Sequence, residues 1–171
     1  MIYSGGQLSQ RKAQDLVIEA VKIIQKRHPE ALLLASWFNI WAGTDGYKDA
    51  GVDLLGLPLL SHRELCFYMN QSDVGLFPNR CEGGTNLILM EYMACGKPVV
   101  ANVSTGQRDV VDDSCSIPIE GSDDELVSQM VGAVERLFHD SQQRKDLGEK
   151  ARTEMLKWPW SKTVEKFLEL I

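Results

Sequence analysis

Nowhere does the chain contain a run of about 18 apolar residues, so a membrane-spanning helix is not expected. No basic-then-apolar leader opens it. Basic residues never gather into a stripe: 18 Lys and Arg are mixed with 24 Asp and Glu, for a net charge of -6. That balance excludes the usual electrostatic footprint of a nucleic-acid partner. Cysteine is sparse. Cys66, Cys81, Cys95 and Cys115 form no CxxC pair, and none stands beside a His at zinc-ligand spacing, so no metal site is expected. Cys66 and Cys95 fall within apolar helical patterns, where a buried free thiol acts as a small hydrophobe and fits a reducing cytoplasm. The phosphate-cradling pattern GxxxxGK(S/T) is absent, and no GxGxxG follows the first strand, which argues against nicotinamide and flavin sites. His28, His62 and His139 share no spacing, and no nucleophile elbow or Cys–His pair can be drawn.

What remains is the balance of an ordinary globular domain, 171 residues with 44% hydrophobic and 25% charged side chains. The length suits one domain over residues 1–171. Short apolar runs at 1–4, 31–38, 52–57, 73–78, 99–102 and 116–119 read as strands. Helical stripes occupy 12–27, 85–95, 123–138, 141–158 and 161–171, with another running to Gln71 from Ser61, which opens the capping-box pattern SHRE. Gly5-Gly6 is read as the end of the first strand, and the glycine-containing stretch 39–51 as irregular. Strands alternating with amphipathic helices imply an α/β fold, a Rossmann-like three-layer domain with a mostly parallel sheet and helices on both faces. Ligands in such sheets bind at the carboxyl ends of the strands.

Three loops lie at those ends: 5–12, 79–86 and 103–109. In the second, Gly83-Gly84 permits close backbone approach, and Thr85 or Asn86 can cap a helix whose first amides favour an anion. Glu91 is the one charge within 85–95, a helix apolar nearly all round, and a carboxylate there needs a partner. Gly84 and Glu91 are expected on one helix face, suited to a phosphate and a sugar hydroxyl, with a salt bridge to Lys97 or Arg108 as the plain alternative for Glu91. Glu82 is either a hydroxyl acceptor or simply solvated. The first loop joins Gly6 to Arg11 and Lys12 near a helix start, where cations oppose the macrodipole unless an anion intervenes.

With these loops in place, the chain resembles the C-terminal, donor-binding domain of GT-B fold glycosyltransferases of the family 4 type (glycosyl transferases group 1). SGGQLSQRKAQDLVIEA is similar to the family's glycine-rich opening, and CEGGTNLILMEYMACGKPVVA to its central motif. The resemblance implies that Lys12 grips the donor diphosphate, with Arg11 beside it, because Gln7 stands where the family has an arginine. It implies that Gly6, Gly83, Gly84, Thr85 and Asn86 face the phosphates, that Glu91 binds the ribose hydroxyls and that Glu82 touches the donor sugar. Eight residues separate Glu82 from Glu91, one more than in the family's pair. Gly106 and Asp109 match a further glycine-rich turn. The implied activity is metal-independent, retaining transfer from a nucleoside-diphosphate sugar, with no cofactor. The acceptor, a sugar, glycan, lipid or protein, would be held by an N-terminal domain, this chain being a fragment of a longer cytoplasmic or peripheral enzyme. Lys12 and Glu82 are the catalytic candidates. A sugar-nucleotide epimerase of the same fold and a non-enzymatic α/β binding module are the rival readings.

Overall fold

A computed structural model of the chain describes residues 1–38, 47 and 50–170. Six parallel strands form one sheet: β1 (Ile2–Gln7), β2 (Leu33–Phe38), β3 (Leu54–Gly56), β4 (Val74–Phe77), β5 (Val99–Asn102) and β6 (Ile117–Ile119), in the order β3-β2-β1-β4-β5-β6. The helices are α1 (Gln14–Arg27), α2 (His62–Gln71), α3 (Leu87–Ala94), α4 (Asp123–His139), α5 (Ser141–Met155) and α6 (Trp160–Leu168). The α/β expectation therefore holds, with a Rossmann strand order whose direction of travel reverses between β1 and β4.

Strand side chains alternate between two cores. Ile2, Leu33, Ala35, Leu76 and Val100 pack with α1 and α4. Tyr3, Leu34, Phe77, Val99 and Ala101 pack with α3 and α5 on the other face. Full burial of each Ile, Leu, Val or Phe among them contributes about 1.5–3 kcal/mol. The predicted capping box forms: Ser61 Oγ accepts the Glu64 amide at 3.4 Å while Glu64 Oε2 accepts the Ser61 amide at 2.9 Å. α6 packs differently. Trp160, Val164, Phe167 and Leu168, spaced along one side of it, are all exposed. No described helix is long and apolar enough to cross a membrane.

Three expectations about boundaries are corrected. Gly5-Gly6 does not end β1, which continues in register with β2 as far as Gln7 opposite Phe38. The strand needs the first glycine, because a Cβ on Gly5 would sit 2.4 Å from the Tyr3 hydroxyl and 2.7 Å from Ser36 Oγ. Lys12 does not begin α1; residues Gln10–Lys12 form a 3-10 turn, and Ala13, at φ 56, is the left-handed corner before the helix. α3 starts at Leu87 rather than Thr85, so Gly84 stands three residues outside the helix and shares no helical face with Glu91. Of the stretch 39–51 read as irregular, residues 39–46, 48 and 49 lie outside the described residues.

Candidate functional site

The loops leaving β1 and β4 part at the switch point, and there the chain places charge. Glu82, between β4 and α3, points its carboxylate at the loop after β1. Arg11 Nη1 donates to its Oε2 at 2.9 Å, and Lys12 Nζ and Asn79 Nδ2 both donate to Oε1. The Glu82 and Lys12 side chains are only 8% and 10% exposed, so their ion pair is shielded from water, whereas Arg11 is 47% exposed. The solvated alternative for Glu82 is thus excluded. The anion facing the two cations is the protein's own carboxylate.

The loop after β5 fixes Glu82 from behind. Thr105 Oγ1 accepts the Glu82 amide at 3.1 Å, and the Gly106 amide donates to the Glu82 carbonyl at 3.4 Å. Gly106 has no room for a side chain, since a Cβ would lie 2.4 Å from the Gly84 carbonyl oxygen. Under these loops runs a chain of buried amides. Gln107, fully buried, donates to the Phe77 and Asn102 carbonyls at 3.0 and 2.8 Å and accepts from Asn86 Nδ2 at 3.1 Å. Asn102 in turn donates to the Asn79 carbonyl at 3.0 Å. Buried amides satisfied this completely rigidify their surroundings.

Arg80 secures the outer side. Its guanidinium reaches both carboxylate oxygens of Asp15 on α1 at 2.9 and 2.6 Å, Asp123 on α4 at 2.9 Å, and the Gln10 carbonyl at 2.9 Å. Those hydrogen bonds push the Arg80 guanidinium further up and hold the Asp123 carboxyl below its ordinary 3.8.

Above this framework the turn before α3 is open. A Cβ on Gly83 or Gly84 would meet nothing within 4 Å, and neither residue uses a positive φ. Asn86 occupies the N-cap position of α3, but its side chain is committed to Gln107, so the first amides of the helix have no side-chain cap. Such amides attract anions. Gly6, at φ 124, lets β1 pass under the Lys12 stem, which lies 3.7 Å from where a Cβ would be. Ser9, in the same loop, carries a buried hydroxyl with no partner among the described residues.

Glu91 stands farther along α3. It is half-buried and its carboxylate makes no hydrogen bond or ion pair to another described residue; the bridges to Lys97 and Arg108 do not form. It faces a cavity of 410 Å³ between α2 and α3. Burial pushes the Tyr3 phenol up, against the hydrogen bond it shares with Ser36, and the charge of Glu91 adds to the rise. Glu91 therefore sits within electrostatic reach of β1. The structure thus gathers Gly6, Arg11, Lys12 and Glu82 at one point, with Gly83, Gly84, Thr85 and Asn86 above, and sets Glu91 apart on the helix.

The family model described as glycosyl transferases group 1 matches residues 1–140. The chain belongs to that family. Among its relatives, D-inositol 3-phosphate glycosyltransferase of Paenarthrobacter aurescens is 28% identical over 98% of this chain and 42% of the relative. A GDP-mannose-dependent phosphatidylinositol monomannoside mannosyltransferase of Corynebacterium glutamicum is 25% identical over all of this chain and 46% of its own. The chain thus spans less than half the length of these curated relatives. In fold it is similar to the C-terminal domain of a glycosyl transferase group 1 protein from Francisella tularensis, with a TM-score of 0.77 at 18% identity, covering 92% of this chain and 84% of that one. It is also similar to Anabaena HepE, solved in complex with UDP-glucose, with a TM-score of 0.70 at 18% identity over 91% of this chain and 43% of that one. The group 1 domain here is accordingly one half of a GT-B fold.

Several residues that build this site carry no sequence signal of their own. Asn79, Thr105, Gln107 and Arg80 are polar loop residues whose roles depend mainly on partners 21 to 70 positions away. Only the clustering of Gly, Asn, Thr and Ser at the strand ends hints at them.

Proposed function

We propose that the chain holds a nucleoside-diphosphate sugar at the β1/β4 switch point for glycosyl transfer. The observation that carries this reading is the pairing of Lys12 and Arg11 beside the uncapped start of α3, around an open glycine turn. In this reading the two cations and the amides following Gly83, Gly84, Thr85 and Asn86 take the diphosphate, Gly6 gives Lys12 its path, and Glu91 takes ribose hydroxyls. As the bond from the anomeric carbon to the diphosphate oxygen breaks, negative charge grows on the leaving group. Lys12 and the helix amides stabilise that charge in place, with no metal or cofactor in the scheme. Glu82, displaced from full pairing by the phosphates, accepts a hydrogen bond from a hydroxyl of the donor sugar. Retention of configuration and an acceptor held by a further domain belong to the same proposal. Relatives whose names specify GDP-mannose, and a structural neighbour bound to UDP-glucose, support the donor class without choosing the base.

Titration calorimetry with a panel of nucleoside diphosphates and their sugars tests the proposal. At least one should bind, and Glu91→Ala should lower its affinity, which Glu82→Ala should not. Absence of binding by the whole panel, or equal affinity for wild type and Glu91→Ala, would overturn the donor-site or the ribose assignment respectively.

A further inference from the structure

Cys66 and Cys95, 29 residues apart in the chain, bring their Sγ atoms to 3.8 Å. That is van der Waals contact with nothing between them. Their surroundings differ from the expected buried helix positions: Cys66 is exposed on α2, and Cys95, the C-cap of α3, is half-buried. Asn70, one turn along α2, donates to the Cys66 carbonyl at 2.8 Å and to its sulfur at 3.5 Å. A disulfide needs the sulfurs at about 2.05 Å, so the pair must close by about 1.8 Å. α2 can supply that movement, because Met69 is its single fully buried residue. α3 is held more firmly, with Leu89, Tyr92 and Met93 all buried.

We propose that Cys66 and Cys95 are a reversible thiol–disulfide pair that ties α2 to the end of α3 in response to a low-molecular-weight disulfide. The exposed Cys66 reacts first: its thiolate attacks one sulfur of the oxidant, forming a mixed disulfide and releasing one thiolate of the small molecule. Cys95 then loses its proton to solvent and attacks Cys66 Sγ, expelling the second thiolate. Two protein thiols are oxidised and one small disulfide is reduced to two thiols. The order follows from exposure, and burial beside Cys66, which pushes the Cys95 thiol up to about 12, agrees with it. Cys81 and Cys115 provide internal comparisons. Cys81 is exposed without a neighbouring thiol, and Cys115 is buried against Val110 and Asp112. The bond would close one side of the cavity that Glu91 lines with His62, Met69 and Arg152. The pairing itself does not depend on what that cavity holds.

The full chain is incubated with graded ratios of oxidised to reduced glutathione, quenched in acid, alkylated, digested and mapped by mass spectrometry. The expected result is a linked peptide pair containing Cys66 and Cys95, a glutathione adduct on Cys81, and Cys115 alkylated only after unfolding. Cys95→Ser should leave glutathione on Cys66, and Cys66→Ser should leave Cys95 reduced. The oxidised wild type should melt about 5–10 °C higher than the reduced form, and dithiothreitol should erase the difference. Wild-type Cys66 that keeps its glutathione, or Cys66 and Cys95 that stay free throughout the series, would overturn the proposal. The mapping of wild type stands whether or not the serine variants fold.

Discussion

At the scale of single residues, Glu82 has two functions that pull against each other. It neutralises Lys12 and Arg11, which would otherwise stand close together near the start of α1, and it competes with any anion that seeks the same two cations. Glu82→Gln keeps the shape and removes the competitor. Its affinity for a free nucleoside diphosphate should rise about three- to tenfold by calorimetry, the return from freeing a partly shielded pair. Lys12→Met keeps the aliphatic stem over Gly6 and removes the charge. Loss of a charge-assisted contact to phosphate should weaken the same ligand by about 10- to 100-fold. The two substitutions should therefore move binding in opposite directions, and a common decrease would show that Glu82 does not compete for the cations.

Among the elements, glycines separate packing from binding. Gly148 on α5 faces the Gly96 carbonyl oxygen, which would lie 2.2 Å from an added Cβ, and Gly106 meets Gly84 at 2.4 Å. Gly148→Ala and Gly106→Ala should each lose about 1–3 kcal/mol in denaturant unfolding, because backbone must shift. Gly83→Ala, with nothing nearby, should leave stability unchanged and lower ligand affinity. The clamp made by Arg80 has an acid limit. The folded pKa of Asp123 lies below 3.8, so its contribution is complete above that value and is lost as pH falls through the lowered one. The difference in melting temperature between wild type and Asp123→Asn should be present near neutrality and shrink below pH 3.8. Asp123 is exposed, so the effect is small.

These elements also show what a linear reading can reach. β5 and α2 coincide with their sequence signals because apolar runs and the Ser61–Glu64 box are local. Gly5-Gly6 misleads because glycine marks either a turn or a crowded strand, and the crowding here comes from Tyr3, Ser36 and Ile88, two of which lie far along the chain. Ala13 gives no warning of its left-handed conformation, which alanine rarely adopts. The loops of the candidate site were legible through their glycines. The Glu82 ion pair was not, since its partners precede it by about 70 residues.

For the molecule as a whole, the strand order matters more than any one contact. Reversal between β1 and β4 leaves two adjacent loops diverging at the sheet's carboxyl edge; Arg80 bolts the β4 loop to α1 and α4, and Gln107, in the loop after β5, ties Asn86 of that same β4 loop to β4 and β5. The chain spans 42% to 46% of its first two relatives, so a polypeptide of these 171 residues should bind donor weakly and form little product in a transfer assay with labelled sugar nucleotide. Turnover typical of an intact transferase would contradict that. The bolting also divides one short loop into unequal halves. Residues 79–82 are fastened through Asn79, Arg80 and Glu82, while an added Cβ on Gly83 or Gly84 would point into open space, with only the Gly84 carbonyl side backed by Gly106. A protease in low dose should nick the loop at 83–84 and spare the residues before it. A bound diphosphate would then be visible without any activity assay, as a cleavage that slows.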